Sequence, residues 1–166
     1  MSFRADARIN PQILDADGIR LAKERGVALV MDVYNGDYID AEGRRAGWPR
    51  EFLEKNLATL TRQREAFALA HQTGVPIVFG TDAGVYPHGL NARQFGVMTR
   101  LGMKPMEAIL SATSLAARYM GWSQSVGSVL PGRYGDLIAV RSDPLADIAA
   151  LEDVRVVIQG GRIVKR

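Results

Sequence analysis

There is no cysteine anywhere in the 166 residues. Disulfide staples, thiolate metal sites and thiol catalysis are therefore excluded, while the redox compartment stays open on this count. Histidine is nearly as scarce, with two in the chain, His71 and His88. Aromatic residues make up only 7%, and the net charge of +3 is spread along the chain with no basic run longer than Arg44-Arg45. Nucleic-acid binders present a clustered basic face, often interleaved with stacking aromatics, and this pattern is missing. No apolar stretch approaches the ~20 residues that cross a bilayer. The opening MSFRADARIN carries no apolar segment of the signal-peptide kind. The expectation is a cytoplasmic protein with neither membrane nor nucleic acid among its partners.

What is present is a globular composition, 47% apolar and 23% charged, enough for one ordinary domain or one lobe of a larger one. Residues 15–26 read as a short helix with Asp15 as N-cap and Gly26 as stop. Residues 27–33 (VALVMDV) form an apolar run of the kind a strand buried on both faces shows. A polar, glycine-containing loop is expected over residues 34–47. Pro49 then sits where a first helical turn tolerates it, and Phe52, Leu53, Leu57, Leu60 and Phe67 give a long helix its apolar face, closed by Gly74. Residues 75–79 (VPIVF) are a second buried strand. Helices are expected over residues 91–101, 105–112 and 114–120. After Gly121 the texture changes to short alternating runs, ending in VRVVIQ-GG-RIVKR, a hairpin with a two-residue turn at Gly160-Gly161. Strands alternating with helices indicate parallel βα units, so the expectation is an α/β chain followed by a small antiparallel element.

In a βα unit, functional side chains belong at the C-terminal end of the strand and in the loop after it. Asp82 is there, three residues beyond VPIVF, within GTDAGVYPHG. An aspartate at such a rim serves as a metal ligand or as a base toward water; it equally serves as a loop or helix cap. Position alone leaves both readings open. Asp32 and Tyr34 end the first strand at the same rim. Tyr34 there either hydrogen-bonds a substrate carbonyl or packs its ring and leaves its hydroxyl in water. His88 lies on the same side, as a substrate contact or a loop-packing residue. His71 falls at the opposite end of its strand, roughly 20 Å away at about 3.3 Å per residue, and reads as a helix C-terminal histidine facing the last carbonyls. Asp37 and Asp40 read as solvated loop residues, and Asp136 as a turn anchor. Met98, Met103, Met106 and Met120 read as core filler.

The segment FGTDAG, followed by MKPMEAILSATSLAARYMG and then by VGSVLPGRYGDLIAVRSDPLADI, resembles the C-terminal portion of the amidohydrolase superfamily. The loops VYNGDYID and GTDAGVYPHG look closest to its prolidase-like branch, whose members cleave dipeptides ending in proline, lysine or arginine. The resemblance covers almost the whole chain, from about residue 14 to residue 166. It implies a partial (β/α)8 barrel, the last two βα units over residues 1–121, followed by C-terminal strands of a small β-sandwich over residues 122–166. Residues 27–33 then correspond to the seventh barrel strand and residues 75–79 to the eighth. Asp82 corresponds to the eighth-strand aspartate, which binds metal and helps to activate the hydrolytic water, with Tyr34 and His88 as substrate-binding candidates.

The family's site, typically of two zinc ions, further takes a His-x-His pair on the first strand, a lysine on the fourth and histidines on the fifth and sixth. Those strands are not in this sequence, and MSFRADARINPQI, where the sixth would end, contains no histidine. A catalytic zinc takes about three protein ligands. The expectation is therefore a truncated hydrolase of C–N bonds, holding at most one weakly bound divalent metal and inactive alone. The alternatives are half of a split dipeptidase, active with an N-terminal partner, and a non-enzymatic binding module. Unpaired edges of the two apolar strands lead to the expectation of a homo-oligomer or of pairing with the rest of a barrel.

Overall fold

A computed structural model describes residues 14–166; the expectation for MSFRADARINPQI lies outside the described residues. Helix α1 (Ala16–Glu24) starts at an extended Asp15, whose Oδ1 accepts from the Gly18 N–H at 2.8 Å, as its sequence cap predicts. The chain then enters strand β1 (Leu29–Met31), which pairs in parallel with β2 (Ile77–Phe79), Leu29 opposite Ile77 and Met31 opposite Phe79. Both strands are shorter than the apolar runs that announce them. Leu29 and Met31 are buried, but Val30 between them is 46% exposed. Burial of β1 on both faces is thus not met among the described residues: one face joins the core and the other is open.

The expected loop over residues 34–47 is instead helix α2 (Asn35–Ala46). It has few apolar residues, so its hydrophobic period is faint. Its stability comes from charge placement: Asp37 in the first turn, Arg44 and Arg45 in the last, and the Asp40–Arg44 pair one turn apart at 2.8 Å. Gly47, at φ 69°, closes it in the left-handed conformation that glycine adopts at least cost. Helix α3 (Arg50–Thr73) follows Pro49 and ends at Gly74 as expected. Its first turns do not carry the predicted apolar face into the core: Phe52 and Leu57 are more than half exposed, whereas Leu60 and Phe67 further on are buried.

Helices α4 (Arg93–Arg100), α5 (Pro105–Ala112) and α6 (Ser114–Tyr119) match their predicted spans to within two residues. The core gathers Ile19 from α1, the buried side of both strands, Phe67 of α3, and Val97 and Met98 of α4. Met98 and Met103 fill it. Met106 of α5 and Met120, just past the end of α6, do not, being 47% and 65% exposed. His71 also departs from expectation: its Nε2 lies 3.2 Å from the Glu107 carboxylate of α5, while the Gly74 N–H takes its main-chain carbonyl.

The C-terminal stretch is a separate antiparallel sheet in the order β3 (Leu137–Val140), β4 (Val154–Gln159), β5 (Arg162–Lys165). Gly160 and Gly161 turn the hairpin with φ of 55° and 77°, the two positive values a type I′ turn demands. Asp136 anchors it, its Oδ1 accepting the Gly160 N–H at 2.7 Å. A 3-10 turn (Ile148–Glu152), in the connection between β3 and β4, packs against α4. No helix among the described residues is long and apolar enough to cross a membrane.

Candidate active site

Parallel strands send their C-terminal ends, and the loops that follow them, to one rim. Asp32 leaves β1 there, and Asp82 stands three residues past β2. Asp82 is the one described non-glycine residue with positive φ, 47°. That left-handed backbone costs an L-residue roughly 1–2 kcal/mol, least for Asn and Asp, and such strain concentrates at functional sites. It is held by its loop: the Tyr86 hydroxyl donates to the Thr81 carbonyl at 3.0 Å, and the Gly84 N–H reaches the Tyr86 carbonyl at 3.2 Å. Tyr86 is 2% exposed, packed edge-on against Tyr34 with ring centroids 5.0 Å apart. Burial raises the pKa of its hydroxyl, so it stays a neutral donor.

The two aspartates are joined by a residue that the sequence reading passes over. Asn35, at the start of α2, donates its Nδ2 to Asp32 Oδ2 at 2.8 Å and to Asp82 Oδ2 at 3.2 Å. One amide therefore spans both carboxylates, reaching Asp82 from 47 residues away in the chain. Asn35 is 6% exposed, and its Oδ1 is buried with no hydrogen-bond partner among the described residues. The amide cannot turn over to relieve that oxygen without presenting it to two carboxylates, so the carboxylates fix its orientation. Burial is the main cause raising the Asp32 pKa, and the Asp82 charge adds to it; hydrogen bonds from Gln63 and Asn35 act the other way. Gln63 of α3, 2% exposed, donates to the Asp32 main-chain carbonyl.

Tyr34 is 7% exposed, and its hydroxyl accepts from Arg93 Nη1 at 3.1 Å. The ring is packed as the structural alternative supposes, but the hydroxyl is engaged by an arginine. His88 is exposed on the loop beyond Tyr86 and does not join Asp32 and Asp82 in a three-donor group. Asp37 and Asp40 are not the free solvated groups expected. Asp37 Oδ1 accepts from Arg64 Nη2 at 2.6 Å, tying α2 to α3, and Asp40 pairs with Arg44, whose hydrogen bond lowers the Asp40 pKa. Beside Asp82 opens a cavity of about 310 Å³, lined by Asn35, Gly36, Ile39, Phe52, Lys55 and Val85 among others.

The zinc that the sequence resemblance implies does not fit these residues alone. Among the described residues no three His, Cys, Asp or Glu groups converge to hold a metal. Asp32 and Asp82 each give one oxygen to Asn35, and no imidazole faces them. A catalytic zinc takes about three protein ligands, so this rim offers part of a donor set. What the rim presents is a fixed carboxylate pair: Asp82 is exposed at the cavity, and Asn35 holds its direction.

Comparison with known proteins shows what the chain is similar to. Ochratoxinase of Aspergillus niger is 30% identical over 160 residues, which are 93% of this chain and 31% of that protein. A solved structure of a Xaa-Pro dipeptidase with methionine bound in its active site superposes with a TM-score of 0.85 at 33% identity, covering 93% of this chain and 38% of the other. A putative prolidase from Bifidobacterium longum gives a TM-score of 0.82 at 27% identity, with 93% and 40% covered. The chain thus spans between about a third and two fifths of the length of the curated relatives it matches (31% and 40%). A family model, that of the amidohydrolase family, matches residues 5–164. With an α/β fold, an aspartate beyond the end of a parallel strand and a match over nearly every residue, this chain belongs to the amidohydrolase family.

Proposed function

We propose that this chain carries the Asp82 wall of a prolidase-like active site that hydrolyses the C–N bond of a dipeptide or a similar N-acyl amino acid. The observation that carries the reading is Asp82 itself, in a strained backbone conformation beyond β2, aimed by Asn35 and open to a cavity. In this reading β1 and β2 are the last two strands of a (β/α)8 barrel, and β3–β5 belong to the sandwich that follows residue 121. The Asp82 carboxylate takes a proton from the water that attacks the scissile carbonyl. Asn35 keeps it pointed at that water and, by donating to both carboxylates, ties it to Asp32. Tyr34, with Arg93 on its hydroxyl, and His88 on the outer loop are the proposed contacts to the substrate. The family is generally metal-dependent. The donors other than Asp82 come from strands beyond the described residues, in the same polypeptide or a separate one, and the open edges of β1 and β2 pair with those strands. Alone, the 166 residues hold at most one divalent ion, weakly.

The test is complementation. The chain is mixed with the N-terminal strands of a related amidohydrolase and zinc, and hydrolysis of dipeptides ending in Pro, Arg or Lys is followed. Activity should appear in the mixture and be absent from either part. Asp82→Asn, which keeps the shape and removes the base, should lower the rate by about 10²–10⁴-fold, the usual worth of a positioned base. Metal-dependent turnover by the chain alone would refute the need for further strands. Turnover that survives Asp82→Asn would refute the assignment of the site.

A further inference from the structure

Gln94 of α4 is completely buried, at 0% exposure, and its side-chain amide lies between the two strands just past their ends. The register of the parallel pair shows what it replaces. The Leu29 N–H donates to the Pro76 carbonyl and the Gly80 N–H to the Met31 carbonyl. Each residue of β1 in this frame donates to the residue before its partner and accepts from the one after it. Continued by two residues, that pattern requires the Val33 N–H to donate to the Gly80 carbonyl. It does not. The Val33 N–H donates instead to Gln94 Oε1 at 3.0 Å, and Gln94 Nε2 donates to the Gly80 carbonyl and, at 3.1 Å, to the Met31 carbonyl. The following rung, from the Asp82 N–H to the Val33 carbonyl, is not among the main-chain hydrogen bonds of the described residues.

We infer that Gln94 is a positioning residue, a spacer amide inserted into the ladder one rung before Asp82, which parts the strands to the separation that a single Asn35 amide can bridge. An amide is suited to this because it is both donor and acceptor, so it extends a rung without leaving a buried polar group unmet. The parting releases the main chain of Asp82 from the sheet, and Asp82 is then able to take its positive φ. Were the ladder closed, residue 82 would be drawn into extended geometry, and its carboxylate would leave Asn35. The catalytic consequence rests on the reading of Asp82 given above; the geometry does not.

The direct measurement needs no substitution. Scalar coupling across hydrogen bonds, by NMR on the unaltered chain, should connect the Val33 amide nitrogen to the Gln94 side-chain carbonyl carbon. Coupling to the Gly80 carbonyl instead overturns the proposal. Gln94→Ala removes the spacer, and Gln94→Met keeps its bulk without its hydrogen bonds. In whichever folds, the paired side-chain amide signals of Asn35 should shift and lose protection from exchange. The rate of the complemented enzyme should fall by about 10²-fold, the usual scale for a misplacement near 1 Å, with KM changed far less than kcat. Val97→Ala, on the same helix and equally in the core, should lower the melting temperature while leaving the Asn35 signals in place. Asn35 signals unchanged in a folded Gln94 variant would reduce Gln94 to core packing and sink the inference. Altered Asn35 signals with no activity in any mixture would leave the spacer standing and count against the proposed hydrolysis.

Discussion

Replacing Gly36 by alanine tests whether the start of α2 is held against α3 as closely as the site requires. The glycine is in the first turn of α2, next to Asn35, and its carbonyl accepts from Asn56 Nδ2 of α3 at 3.0 Å. A Cβ at this position would lie 2.6 Å from Leu60 Cδ1 and 3.2 Å from Leu60 Cβ and Cγ. Leu60 is 5% exposed, and because its Cβ and Cγ as well as its Cδ1 stand in the way, a change of rotamer alone does not clear the contact. Overpacking of this kind costs about 1–3 kcal/mol. The better helix propensity of alanine returns at most ~1 kcal/mol. The net expectation is a loss of about 1–2 kcal/mol, a fall of about 2–8 °C in melting temperature for a chain of this size. Denaturant unfolding of Gly36→Ala, Leu60→Ala and the double variant forms the cycle. Leu60→Ala alone should cost about 2–5 kcal/mol, and the double variant should be more stable than the sum by about 1–2 kcal/mol, because the smaller residue makes room for the new methyl. Additivity to within about 0.5 kcal/mol, or a Gly36→Ala chain as stable as the parent, would refute the contact as the reason for the glycine.

Asp32→Asn should stabilise the fold in a pH-dependent way. Because the folded pKa of Asp32 is raised, chiefly by burial, its contribution is complete below the unfolded carboxylate value and is lost as pH rises through the folded one. Parent and variant should therefore unfold alike near pH 3 and diverge in favour of the variant toward pH 7, the new amide oxygen still accepting from Asn35; a difference independent of pH would contradict this. Tyr86→Phe removes the donor to the Thr81 carbonyl and should cost about 1–2 kcal/mol in denaturant unfolding, with no change in slope, and a neutral result would mean that the Asp82 loop is held by other contacts.

The elements visible in the sequence are those whose signal is local. Asp15 before an apolar period, Pro49 and Gly74 at the two ends of a long helix, and two adjacent glycines between alternating runs each specify a backbone conformation within a few residues. Helix α2 is hard to see in the sequence because its support is of another kind. Its signs were present in Gly47 and in oppositely charged residues one turn apart, but with Tyr38 and Ile39 as its main apolar residues the 3.6-residue period is too weak to set against a polar loop. Burial is hard to read from the sequence for a similar reason. Val30, Phe52, Leu57, Met106 and Met120 are apolar at positions of regular elements, yet the described residues leave them exposed. Apolar character states what a residue tolerates, whereas burial depends on what is packed against it.

The site divides along the same line. Asp82 is legible because its place past a strand end has chemical meaning on its own. Asn35, Gln63 and Gln94 are not, and they do most of the arranging. Each is an uncharged amide among polar or mixed neighbours, and each acts on a group far away in the chain: Asn35 on Asp82, Gln63 on the Asp32 carbonyl, Gln94 on Val33 and Gly80. A buried amide must have its hydrogen bonds met or it destabilises the fold. Gln63 and Gln94 meet this by taking main-chain partners, which any sequence can supply, so their presence leaves no trace in residue type or spacing. Asn35 takes two carboxylates and leaves its own oxygen unmet. The one sign available beforehand is negative: Gln94 lies between Arg93 and Phe95 on a helix whose neighbouring turns bury Val97 and Met98, so a glutamine there falls on the inner face. A polar residue on an inner face, with no charge to pair, is a reason to look for main-chain groups that have lost their partners. In this fold those groups are the ends of the strands that carry Asp32 and Asp82.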